Sequence, residues 1–143
     1  MKSALKDEPT VVLDACALIA FFNDEPGADV VAEALQVVPV VEIAAINLLE
    51  IAYDAVRRSG QPHSARDLLE AVRKLPISIR RDIGDDVLEM AACLKARFRI
   101  SLADSVALAV AAVCDAPLVT SSLHRDLKPE DFKPRIARMY TNE

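Results

Sequence analysis

The feature that most constrains this chain is an alternation, running nearly end to end, of short β-branched apolar runs with segments of helical period. Val11-Val12-Leu13 is a continuous apolar run closed by Asp14, as in a strand covered on both faces. Residues 15–22 read as a helix stopped by Asn23-Asp24-Glu25-Pro26-Gly27. Residues 28–37 repeat apolar side chains at Val30, Val31, Ala34 and Leu35, again a helical period. A Val-rich second strand is expected over 39–43 and a helix over 44–58, stopped by Ser59-Gly60 and Pro62. Ser64 is placed to cap a helix through Lys74. A third strand falls on 77–79 and a helix on 82–98, its inner side marked by Ile83, Val87, Met90, Ala91 and Leu94. Residues 102–114 are apolar nearly all round, which predicts a central helix. Residues 117–119 make a fourth strand, and 136–140 an edge strand in a charged tail. Strands that alternate with helices in this way predict an α/β fold with a parallel sheet covered on both faces.

The length of 143 residues suits one domain over 1–143 with a core that needs neither disulfides nor structural metal. Only three glycines occur, Gly27, Gly60 and Gly84, too far apart for a glycine-rich phosphate loop, which excludes nucleotide cofactors of those classes. Cys16, Cys93 and Cys114 form no Cys-x-x-Cys pair, and an odd count predicts reduced, buried thiols rather than a disulfide framework. Residues 1–10 lack the apolar core of a signal peptide, and Asp104 interrupts the longest apolar stretch. A soluble, cytoplasmic protein with no membrane association is therefore expected.

Three acidic residues stand where apolar ones would be unremarkable. Ligand sites in parallel sheets lie beyond the carboxyl ends of the strands, and Asp14 directly follows the first strand and opens a helix. It reads equally as an N-cap or as a carboxylate facing the crevice. Glu50 sits between Ile46 and Tyr53 on a helix face that reads as apolar and inward. The plainer alternative is a glutamate at the edge of the stripe reaching water. Asn47, one turn away, is placed to hydrogen-bond Glu50 or a ligand, or else to face solvent. Asp104 ends Ser101-x-x-Asp104, which has the spacing of a capping box at the head of the most apolar helix. Three carboxylates brought together would repel unless a cation joined them. Hard divalent ions, Mg²⁺ or Mn²⁺, take oxygen ligands of this kind and support attack of water on a phosphate.

Val12-Leu13-Asp14-Ala15 with Leu18-Ile19, Ile46-Asn47-Leu48-Leu49-Glu50-Ile51, Ser101-Leu102-Ala103-Asp104 and Pro117-Leu118-Val119-Thr120 together resemble the PIN-domain family. The resemblance is to the VapC-type toxins of type II toxin–antitoxin pairs in particular. It implies a three-layer α/β/α sandwich with a mostly parallel central sheet, and a Mg²⁺- or Mn²⁺-dependent ribonuclease with Asp14, Glu50 and Asp104 as catalytic, metal-binding acids. It also implies an RNA substrate, a cognate antitoxin and a homodimer. The chain departs from the family pattern twice. Cys16 stands where a Ser or Thr is usual, and Ser122 stands where a fourth acid is usual. Asp126 is the candidate replacement ligand, a solvated loop aspartate being its plainer reading. These departures keep open an alternative, a PIN-like RNA- or protein-binding module with weak or lost nuclease activity.

Other motifs carry less. Cys93 and Arg99 have Cys-x5-Arg spacing but fall within a helical period, and His63 and His124 stand alone. Arg57-Arg58, Arg80-Arg81, Arg97 and Arg99 are expected to be solvated, with phosphate contact as the alternative. The net charge of −5 is uneven, −8 through Val56 and +3 from Arg57 onward. The acidity therefore gathers in the part holding Asp14 and Glu50, while phosphate contacts would come from the later, basic part.

Overall fold

The computed structural model describes residues 9–120 and the strand Ile136–Arg138. Its elements run in the order β1 (Thr10–Leu13), α1 (Ala15–Asn23), α2 (Ala28–Val37), β2 (Val40–Ala44), α3 (Ala45–Ser59) and α4 (His63–Arg73). Then come β3 (Ser78–Arg80), α5 (Asp85–Arg97), α6 (Leu102–Val113), β4 (Leu118–Thr120) and β5 (Ile136–Arg138). The strands form one sheet in the order β3-β2-β1-β4-β5, and every pairing is parallel.

The alternating faces of the strands divide the core into two halves. Val12, Ala44 and Leu118 point toward α5 and α6 and join Val87, Ala91, Leu94, Val106 and Val110. Leu13, Val41, Ile43 and Val119 point the other way and join Leu18, Val31, Ile51 and Val72 from α1 to α4. Helices thus cover both faces, as strands of continuous apolar sequence require, and the architecture is a three-layer α/β/α sandwich. The chain moves from β1 to β2 with helices on one face, then from β3 to β4 in the opposite direction with helices on the other. Both crossovers therefore have the same hand, as parallel connections favour.

This strand order puts the reversal of direction between β1 and β4, the point at which ligand crevices open in such sheets. α6 runs back along the sheet into β4, so its N-terminus lies at the carboxyl end of the strands. The amino-terminal turn of α3, which follows β2, lies there too. Three chain segments far apart in sequence thereby meet at one edge.

Several local expectations need correction. Ser64 does not cap α4; the helix begins at His63 after Pro62, and the Ser64 hydroxyl lies 2.6 Å from that of Ser59. α5 begins at Asp85 rather than Asp82, because Gly84 is extended. Ile83 thus precedes the helix, and Ile83 and Met90 are exposed while Val87, Ala91 and Leu94 form the buried stripe. None of the three cysteines is in a disulfide, but the expectation that they are buried is corrected: Cys16 and Cys93 are exposed and Cys114 is half-buried. Each exposed thiol lies on the outer side of its helix, with buried neighbours Ala17 and Leu18 beside Cys16, and Ala91 and Leu94 beside Cys93. Gly60 ends α3 in the left-handed conformation at φ 72°, where its N–H donates to Val56 O at 2.7 Å.

A second polar cluster joins β3, β2 and the residue that follows α6. Arg80 Nε donates to Glu42 Oε2 at 2.8 Å and Nη2 donates to Cys114 Sγ at 3.3 Å. Burial first, and the Glu42 carboxylate next, push the Cys114 thiol up. It therefore stays protonated and unreactive.

Leu18 is fully buried between α1 and the sheet. Leu18→Ala is expected to lower unfolding free energy by about 2–5 kcal/mol in urea denaturation, whereas Val37→Ala, at an exposed position, changes it by less than about 0.5 kcal/mol. Equal effects at the two positions would contradict this division of the core.

Candidate active site

Asp14 fills the capping role and is buried as well. It is the N-cap of α1, with Oδ1 accepting from Ala17 N at 2.9 Å, and it is only 6% exposed at the end of β1. The register Leu13↔Val119 brings it beside Thr120, the last residue of β4, and Thr120 hydrogen-bonds its carboxylate. Burial pushes the Asp14 carboxyl from 3.8 up to about 6; the bonds from Thr120 and Ala17 oppose this, while the charges of Asp104 and then Glu50 add to it. The contribution of Thr120 to the site went unread in the sequence, where it served only to mark the end of a strand. A hydroxyl aligned with Asp14 by neighbouring strands was the available signal.

Glu50 lies on α3, whose buried residues are Asn47, Leu48, Ile51 and Ala52. The expectation that Tyr53 shares an inward face with it is corrected: Tyr53 is 64% exposed, together with Leu49. At three residues beyond Asn47, Glu50 sits at the border of the stripe and is half-buried. Desolvation first, then the charge of Asp104, raise its carboxyl, while hydrogen bonding from Asn47 lowers it.

Asp104 occupies the first turn of α6. Ser101 caps that helix by accepting from Asp104 N at 3.0 Å. This leaves the exposed Asp104 carboxylate outside the cap and within electrostatic range of both other acids.

Asn47 is fully buried and does not face solvent. Its Nδ2 donates to Ala103 O at 3.1 Å, linking α3 to the residue before Asp104. Its Oδ1 is the one buried side-chain nitrogen or oxygen among the described residues with no hydrogen-bond partner, an arrangement that costs about 1–3 kcal/mol.

The donor set at this edge is all oxygen and carries up to three negative charges, which suits a hard divalent cation. As the side chains stand, no three His, Cys, Asp or Glu among the described residues are gathered closely enough to hold one. The mutual repulsion of the acids and the unpartnered Asn47 oxygen nevertheless fit such an ion in chemistry. Cys16, in the first turn of α1, is exposed. Ser122, His124 and Asp126 lie outside the described residues.

The remaining candidates make local contacts of their own. Cys93 lies on α5, so no phosphate loop surrounds it. His63 is exposed and its Nδ1 is 3.1 Å from Asp67 Oδ2. Arg57 and Arg58 both pair with Asp54, at 2.7 and 2.9 Å, and Arg97 stacks over Phe98.

Comparison with known proteins agrees with this geometry. The family model for the PIN domain matches residues 11–122, and the chain belongs to the PIN-domain family. Among solved structures it is similar to VapBC2 of Rickettsia felis bound to a promoter DNA fragment, with 15% identity, a TM-score of 0.67, and 90% of this chain and 98% of that one covered. It is also similar to a toxin–antitoxin complex of Klebsiella pneumoniae, at 23% identity and TM-score 0.59 over 78% and 86% of the two chains. A third is the sarcin–ricin-loop-cleaving toxin VapC20 of Mycobacterium tuberculosis, at 18% identity and TM-score 0.61 over 76% and 86%. No curated protein matches by sequence. At these identities the structural likeness establishes the shared fold.

The folded state holds the Asp14 proton more tightly than the unfolded chain does. Its contribution to stability is therefore complete below about pH 4 and is lost as pH rises through about 6, by at most about 3 kcal/mol. Asn at position 14 can still cap α1 but cannot titrate. Without added metal, the stability of wild type relative to Asp14→Asn is expected to fall across pH 4–7 in chemical denaturation; parallel profiles would refute the burial of this charge.

Proposed function

We propose that the protein is a Mg²⁺- or Mn²⁺-dependent endoribonuclease, the toxin of a type II toxin–antitoxin pair, hydrolysing RNA phosphodiester bonds at Asp14, Glu50 and Asp104. The observation that carries this reading is the electrostatic coupling of three carboxylates from β1, α3 and α6 at the sheet's switch point. Family membership supports it, as does the likeness to a toxin that cleaves RNA.

In this reading Asp14, Glu50 and Asp104 would hold the ion, with Asp126 as a further candidate ligand. When bound, the ion would polarise a phosphoryl oxygen and lower the pKa of an attacking water. Asp14 is the fixed member, pinned by Ala17 N and Thr120. Glu50 and Asp104 lie nearer the surface and face the incoming phosphate chain. RNA phosphates would then be met by the basic side chains that follow Val56.

The partner proposed is an antitoxin with an Arg or Lys directed into the acidic site, in keeping with the solved toxin–antitoxin complexes. A homodimer acting in the cytoplasm completes the proposal; no helix among the described residues is long and apolar enough to cross a membrane. Cys16 and Ser122 favour one second reading, a PIN-like binding module for RNA or protein with weak or lost nuclease activity.

Purified protein is expected to cleave RNA with Mn²⁺ or Mg²⁺ and to stop when the metal is chelated. Asp14→Asn, Glu50→Gln and Asp104→Asn should each reduce the rate about 100-fold or more, exceeding the 10–100-fold typical of losing a group that merely orients a ligand. Cleavage unaffected by all three would remove the site assignment, and RNA binding without metal-dependent cleavage would favour the binding module.

A further inference from the structure

An amide is an unexpected choice for position 47. The buried stripe of α3 otherwise consists of Leu48, Ile51 and Ala52, and an apolar side chain would fill the space without stranding a polar atom. Asn47 instead spends one donor on Ala103 O, 3.1 Å away on α6, and lies one helical turn from Glu50, whose carboxylate its amide also stabilises. Ala103 is the residue before Asp104. The side chain thus ties the turn that carries Glu50 to the turn that carries Asp104, and it does so while fully buried. Its Oδ1 remains without a donor. The neighbouring carboxylates are acceptors when ionised and cannot supply one, whereas a hydrated Mg²⁺ or Mn²⁺ brings its own water donors.

We infer that Asn47 is a positioning residue of the metal site: it fixes Glu50 and Asp104 at one separation through Ala103 and offers Oδ1 to a water of the hydrated cation. This inference rests on the site reading given above. A purely structural clamp would influence stability alone, while a positioning residue also sets metal affinity in protein that remains folded.

Mn²⁺ titration calorimetry on the full chain distinguishes them. Asn47→Leu matches the side chain in size but lacks donor and acceptor; Asn47→Ser is polar but too short to reach Ala103. Both are expected to bind Mn²⁺ about 10–100-fold more weakly than wild type, with unchanged circular dichroism. Val72→Ala, a cavity in the α4 layer, controls for lost stability and should bind Mn²⁺ as wild type does. If either folded Asn47 variant retains wild-type affinity, the inference is overturned and the site reading stands. Wild-type protein that takes up no Mn²⁺ overturns the site reading and the inference with it.

Discussion

The burial of one carboxylate, Asp14, is the constraint on which this end of the molecule depends. Burial opposes the charged form, and two further acids nearby oppose it again. Two hydrogen bonds hold it in place, one from the first turn of α1 and one from the last residue of β4. Each requires a different part of the fold to be complete. The parallel register between β1 and β4 brings Thr120 alongside, and the immediate start of α1 supplies Ala17. A residue that served only as a cap would be exposed to solvent at lower energy. The retained burial is a local conflict between charge and environment that the surrounding fold has to hold in place.

Much of the architecture was legible because its strands are short, β-branched and bounded by clear punctuation. β1, with Asp14 directly after it, and the whole of α2 follow from period and stop residues alone. Errors gather where one-dimensional periodicity meets a three-dimensional border. Tyr53 shares a helical neighbourhood with Glu50, yet packing of α3 on the sheet turns it outward, because the buried stripe passes through Asn47 and Ile51. Ser64 has the chemistry of a cap but is held by Ser59. Cys16 is small and apolar in composition, but its side of α1 is the one left uncovered.

The candidate site was legible in the placing of its acids and not in the polar groups around them. Asp14, Glu50 and Asp104 are conspicuous as charges at helix starts or within apolar runs. The structure places all three at the carboxyl edge, within electrostatic reach of one another. Thr120 and Asn47 are ordinary polar residues in sequence. Their significance depends on contacts across the sheet and between helices, to β1 in one case and to α6 in the other. Such contacts have no periodic signature, since they join positions separated by most of a domain.

The strand order carries one more consequence, for the folding of the chain. β1 is made first in synthesis, but its partner on one side, β4, comes only at Leu118–Thr120. Contacts between residues so distant along the chain form slowly, because loop closure must precede their reward. The acids at the end of β1 and on α3 are thus made early, while the environment that binds them together exists only after β4 has docked. The gathering of the acids at this edge therefore waits on the docking of β4.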